Sequence, residues 1–136
     1  MAAALLGARE AVMSPIRPIL RAHELTEQQW RLLRILMDNG PMDISRAAEL
    51  SMIMAPSLTR IVRDLTQRKL ISKNKNADDA RKSTLSICPA GQTLVEQTAM
   101  ETIAHIERYQ SQFGQDRFDR LLAELNDFTH LIQQDN

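Results

Sequence analysis

The chain has 136 residues, with seventeen basic and seventeen acidic side chains, one cysteine and only 4% aromatic residues. That length suits one domain with a real core, and a single cysteine excludes a disulfide framework and fits a reducing cytoplasm. Zero net charge argues against a simple electrostatic glue for nucleic acid, and so few aromatics disfavour a base-stacking sheet for single strands.

No run approaches eighteen uninterrupted apolar residues, so no membrane span is expected and the chain is read as cytoplasmic. The start, MAAALLGAREAVM, is mildly apolar but lacks a basic leader and is read as mature protein. A first helix is expected from Leu5 to about Ala22, with Leu5, Val12, Ile16, Ile19 and Leu20 apolar and kinks at Pro15 and Pro18. Arg9, Met13 and Arg17 lie four apart and share one face. Two guanidiniums flanking a thioether can hold a carboxylate beside an apolar body. The alternative is a pair of surface arginines matched to acids on another helix.

Thr26 to Gln29 form a capping box, opening a helix with Trp30, Leu33, Ile35, Leu36 and Met37 as apolar positions. Asn39-Gly40-Pro41 ends it. Trp30 reads as core, or more sharply as the wall of a pocket. Asp43 caps the next helix, where Ile44, Ala47, Ala48 and Leu50 pack. The link from Ser51 to Ala55 carries Met52, Ile53 and Met54, which read as core. Leu58, Ile61, Val62 and Leu65 then fall at i, i+3, i+4 and i+7, the spacing of an apolar helix stripe, with Pro56 in its first turn. Ser57, Thr59, Arg60, Arg63 and Gln67 fall off that stripe and present hydroxyls, guanidinium forks and an amide.

Leu70-Ile71 begins an extended run, Thr84 to Ile87 makes another, and the polar segment between them reads as a hairpin tip. Helix, strand, basic tip and strand in that order are the layout of a winged helix-turn-helix, whose second helix enters the DNA major groove. Arg60 to Lys82 holds eight bases against three acids, including Lys73, Lys75, Arg81 and Lys82 at the wing. Phosphate neutralisation supplies most non-specific affinity for DNA, so this local excess matters more than the whole-chain balance. After Gly91 the ratio reverses, to three bases against eight acids, which implies a face turned away from DNA. From Gly91 to about Phe113 a long helix is expected, with Leu94, Met100, Ile103 and Ile106 inward. Phe118, Leu121, Leu122, Leu125, Phe128 and Ile132 then form a second stripe. A terminal helix this apolar needs a cover, and a second copy of the chain is the commonest one.

Nothing supports catalysis. His23, His105 and His130 are far apart and have no ligand-spaced partner, so no metal is expected. Cys88 has no neighbouring base, no Gly-rich phosphate loop occurs, and no cofactor is expected.

Asp79-Ala80-Arg81, followed by Leu85, Ile87 and Cys88-Pro89-Ala90-Gly91, resembles the wing of the multiple-antibiotic-resistance regulator (MarR) family, with its D-x-R, alternating strand and L-T-x-x-G. Cys88 stands where that pattern has Thr. The resemblance covers nearly the whole chain, and LTEQQWR and PSLT are similar to a branch that represses aromatic-acid catabolism. It implies a dimeric repressor on a pseudo-palindromic operator, released when a small aromatic acid binds between the dimer base and the DNA-binding lobe. It also implies that Asp79 braces the wing and Arg81 enters the minor groove. Within that scheme Arg9 or Arg17 takes the effector carboxylate, Met13 and Trp30 line the ring slot, and His23 accepts a ring hydroxyl. The expectation is thus a mainly α chain with a small β-hairpin wing: one domain over 1–136, with a DNA-binding lobe at 25–91 and dimerisation helices at 1–24 and 92–136. The rivals are a helical protein-interaction module that no longer binds DNA, and a constitutive regulator without an effector.

Overall fold

The computed structural model describes residues 1–79 and 82–135 and divides the chain into two compact units, Met1–Glu101 and Thr102–Asn136. The expected DNA-binding lobe, 25–91, lies wholly within the first. That unit opens with α1 (Ala2–Met13) and α2 (Ile16–Ala22). The single kinked helix expected there is two helices, broken at Ser14-Pro15. Pro18 breaks nothing, because it sits in the first turn of α2, where backbone N–H groups have no intrahelical partner. α1 buries no residue, whereas α2 buries Ile16 and Leu20.

α3 (Glu27–Asn39) starts at the capping box: the Gln29 N–H donates to Thr26 Oγ1 at 3.1 Å, and the Thr26 N–H donates to Gln29 Oε1 at 3.0 Å. It buries Leu32, Leu33 and Leu36 and ends at Gly40, whose φ of 78° is readily reached only without a side chain. Asp43 caps α4 (Ile44–Ser51) by accepting the Arg46 N–H at 2.7 Å. A short strand that periodicity did not indicate, β1 (Met42–Asp43), precedes it. Two residues are too few for an alternation signal.

α4 ends at Met52, a non-glycine residue in the left-handed region, which costs about 1–2 kcal/mol. That turn reverses the chain into α5 (Ala55–Gln67). Its stripe of Leu58, Ile61, Val62 and Leu65 is buried as expected. In the link before it only Ile53 is core; Met52 and Met54 are 69% and 78% exposed, against the expectation that all three pack inward. Two of three consecutive residues cannot follow the third into the core when the backbone turns between them.

The wing strands are β2 (Ile71–Asn74) and β3 (Thr84–Ile87). Both neighbours of β3 run antiparallel to it, giving the order β1-β3-β2 with Leu85 opposite Lys73 on one side and Met42 on the other. α6 (Pro89–Phe113) follows directly. Its third residue, Gly91, packs against the end of the α5–β2 turn, where a Cβ would lie 2.2 Å from the Leu70 carbonyl oxygen. That same oxygen accepts the Cys88 N–H at 2.9 Å, so the carbonyl cannot yield.

The buried face of α6 carries Gly91, Val95, Thr98 and Thr102 rather than the expected Leu94, Met100, Ile103 and Ile106, and Met100 and Ile103 are exposed. Thr98 is tolerated inside because its hydroxyl lies 3.0 Å from the Leu94 and Val95 carbonyls. The second unit contains the rest of α6 and α7 (Gln115–Gln134). No α7 residue is buried, so Leu121, Leu122, Leu125, Phe128 and Ile132 form an exposed apolar row.

Candidate nucleic-acid interface and effector region

Burial of one stripe fixes the rotation of α5 and therefore what it shows to solvent. Pro56, Thr59, Arg60, Arg63 and Gln67 are exposed, and Ser57 is half-buried. Thr59 donates its hydroxyl proton to the Ala55 carbonyl at 3.0 Å, which leaves its oxygen as an acceptor and its methyl as an apolar contact for a partner. The Arg63 Nε lies 3.7 Å from Asp64, a loose pairing, and Arg60 has no ion pair among the described residues. Ser57, Arg60, Ile61 and Asp64 of α5 share a polar recess of about 300 Å³ with Thr26, Gln28 and Gln29 at the start of α3. A fork of five N–H donors beside hydroxyls and amides suits phosphate oxygens and the acceptor edge of guanine.

At the wing, Lys73 is half-buried on β2, and Lys75 and Lys82 are exposed. The Asp79 carbonyl accepts the Lys82 N–H at 3.1 Å, tightening the return into β3. The expected minor-groove residue, Arg81, lies outside the described residues, as does Ala80. Arg68, part of the local basic excess, holds the fold together: its guanidinium donates to the Glu24 carbonyl at 2.7 Å.

Arg9 and Arg17 are brought together, on carboxylates. Arg17 meets Glu10 at 2.8 Å and Glu27 at 3.3 Å; Arg9 meets Glu10 at 3.0 Å and also pairs with Glu27. The Arg17 hydrogen bond holds the Glu10 carboxyl below its ordinary range, and the same bond raises Arg17. Glu27 further takes Arg31 at 3.5 Å, and Arg31 donates to the Ser51 carbonyl at 2.8 Å. One chain of charges thus runs from α1 and α2, through the start of α3, to the turn before α5. This is the alternative pairing that the sequence left open, and an effector carboxylate at Arg9 or Arg17 would have to compete with Glu10 and Glu27. Arg17 and Glu27 also line an apolar recess of about 210 Å³ with Leu20, Arg21, Leu25 and Thr26.

Trp30 offers a different anchor. Its Nε1–H is buried and has no hydrogen-bond partner among the described residues, a deficit of about 1–3 kcal/mol. The Arg34 guanidinium lies 5.1 Å from the ring centroid and has no ion pair among the described residues. Arg34 was missed in the sequence, although its place one helical turn after Trp30 was a readable signal. Met13 is half-buried, and His23 is engaged with Glu101 at 2.8 Å.

Residues 25–83, from just after α2 to just before β3, match the MarR family. The homoprotocatechuate degradative operon repressor of Escherichia coli is 36% identical over 131 residues, covering 96% of this chain and 84% of the repressor. The chain belongs to the MarR family. The HTH-type transcriptional regulator FarR of Neisseria gonorrhoeae is 35% identical over 89% of this chain and 85% of FarR. The crystal structure of NadR in complex with 4-hydroxyphenylacetate superimposes with a TM-score of 0.89 at 29% identity, covering 99% of this chain and 98% of NadR. MarR regulators bind operator DNA as dimers and are not enzymes, so this chain is a DNA-binding transcriptional regulator.

Among the described residues no group of His, Cys, Asp and Glu could hold a metal ion, and no helix is long and apolar enough to cross a membrane.

Proposed function

We propose that this MarR-family chain is a cytoplasmic, dimeric repressor of an aromatic-acid catabolic operon, released from its operator by a small aromatic carboxylate. DNA contact falls to Pro56, Ser57, Thr59, Arg60, Arg63 and Gln67 on α5, and to Lys73, Lys75, Arg81 and Lys82 of the wing, with Asp79 bracing the hairpin. A second copy covers the exposed apolar row of α7. The dimer presents two α5 helices to successive turns of a pseudo-palindrome.

The observation that carries the effector reading is the Trp30 Nε1–H, buried with no hydrogen-bond partner among the described residues, on a ring over which the Arg34 guanidinium lies 5.1 Å from the centroid without an ion pair among those residues. A buried donor and a nearby cation are the pair a carboxylate satisfies, and an aromatic body packs well on an indole face. Met13 and Trp30 line the ring slot. Arg9, Arg17 and His23 would take the carboxylate or a ring hydroxyl only by exchanging their pairs with Glu10, Glu27 and Glu101 for the effector. An effector shifts the protein off DNA only by the difference in its affinity for the bound and released arrangements. NadR's complex with 4-hydroxyphenylacetate, and the name of the E. coli repressor, support this chemical class.

Calorimetric titration with 4-hydroxyphenylacetate tests the site. The native chain should bind it, and Trp30→Phe, which keeps a ring but removes the N–H, should bind about tenfold more weakly. Equal affinity in the two proteins would rule out Trp30 as the carboxylate anchor.

A further inference from the structure

We propose that Met54 is a base-reading residue that recognises thymine through its C5-methyl group, where the beginning of α5 enters the major groove. The inference rests on DNA binding by α5, as the family assigns.

Met54 is the N-cap residue of α5 and supplies no side-chain hydrogen bond to the helix, so the side chain does not serve as a cap. It is 78% exposed, and its neighbour Ile53 is buried. The Ile53 N–H donates to Ser51 Oγ at 3.3 Å, and the Met54 carbonyl accepts the Leu58 N–H at 2.9 Å. The link is therefore pinned on both sides of a long apolar side chain that stands in water.

The chemistry of α5 leaves a gap that this side chain fills. From Ala55 to Val62 the helix has no Asn or Gln, the residues that read adenine with paired hydrogen bonds. Arg60 is a donor alone and suits guanine, and the Thr59 hydroxyl donates its proton to the Ala55 carbonyl, which leaves it only as an acceptor. The thymine C5-methyl marks an A·T pair in the major groove, and an apolar side chain recognises it. Ala55, Pro56 and the Thr59 methyl are apolar but short. Methionine, unbranched and polarizable with three rotatable bonds, reaches farther and adapts its shape to the surface it meets.

The test uses the full-length chain and a duplex that it selects from a random pool. Each thymine of that duplex is replaced in turn by uracil, which removes only the C5-methyl, and affinities are read by fluorescence anisotropy. At one or more positions the native chain should lose about fourfold in affinity, the effect of one buried methyl. Met54→Ala should abolish that sensitivity and Met54→Leu should retain it; the native Met54 side chain is exposed, so neither substitution removes core packing. Indifference of the native chain to every uracil, or undiminished sensitivity in Met54→Ala, would overturn the inference while leaving DNA binding intact. Failure to retain any duplex would overturn the DNA-binding reading and this inference with it.

Discussion

Arg31 joins two parts of the DNA-binding lobe: its Nη1 donates to the Ser51 carbonyl at 2.8 Å, and its Nη2 lies 3.5 Å from Glu27. Ser51 is the last residue of α4, where carbonyls lack intrahelical partners, so the guanidinium caps that end and holds α3 to it. Arg31→Met keeps much of the stem and removes both interactions. It should destabilise the chain by about 1–2 kcal/mol in urea unfolding. An unchanged midpoint would show that water replaces the bond without loss.

Gly91 should tolerate no side chain. A Cβ there would lie 2.2 Å from the Leu70 carbonyl oxygen and 2.9 Å from Ile87 Cγ1, and the carbonyl is fixed by Cys88. Alanine favours a helix over glycine by up to about 1 kcal/mol, but the clash with backbone dominates. Gly91→Ala is expected to cost about 2–3 kcal/mol, read from the thermal unfolding midpoint. A stabilised variant would mean that α6 can move off the wing at little cost.

Two kinds of DNA contact should separate by salt and sequence. Arg60→Ala should relax preference at one base position, at about 1–3 kcal/mol. Lys75→Ala, at the exposed wing, should weaken all sequences alike and lower the slope of log affinity against log salt by about one contact. Binding isotherms at several salt concentrations distinguish them; the same behaviour from both variants would remove Arg60 from base readout.

The acid limb of stability should contain Glu10. Its carboxyl is held below the ordinary value by the Arg17 hydrogen bond, so its contribution is present above about pH 4.5 and is lost as pH falls through the lowered value. Stability should therefore rise with pH across that window in the native chain and rise less in Glu10→Gln. Chemical unfolding between pH 3 and 6, on the order of one unit per step, reads the difference. Parallel curves would show that the exposed pair is fully screened.

Where spacing encodes burial, the fold was legible in the sequence. The α5 stripe, the capping box and the Asp43 cap all appear at the residues that periodicity and cap chemistry indicate. α6 was misjudged because its inner face uses Thr98 and Thr102, whose hydroxyls hide burial from any hydropathy pattern. β1 was missed because a two-residue strand is defined by its partner and has no pattern of its own. In the effector region, the pairing of Arg9 and Arg17 with Glu10 and Glu27 depends on how α1 and α2 fold back on α3. That placement is tertiary, and four-residue spacing along a chain broken at Pro15 could not supply it. The exposure of Met54 has the same origin, a left-handed Met52 that turns the link.

The most direct test is a mobility shift of the purified chain with the promoter region upstream of its own gene, with and without 4-hydroxyphenylacetate. The account predicts a discrete complex at moderate salt that the compound dissolves, and a Trp30→Phe complex that resists release at the same concentration. A native complex indifferent to 4-hydroxyphenylacetate and to other hydroxylated phenylacetates and benzoates would contradict effector control. No complex at all would contradict the repressor.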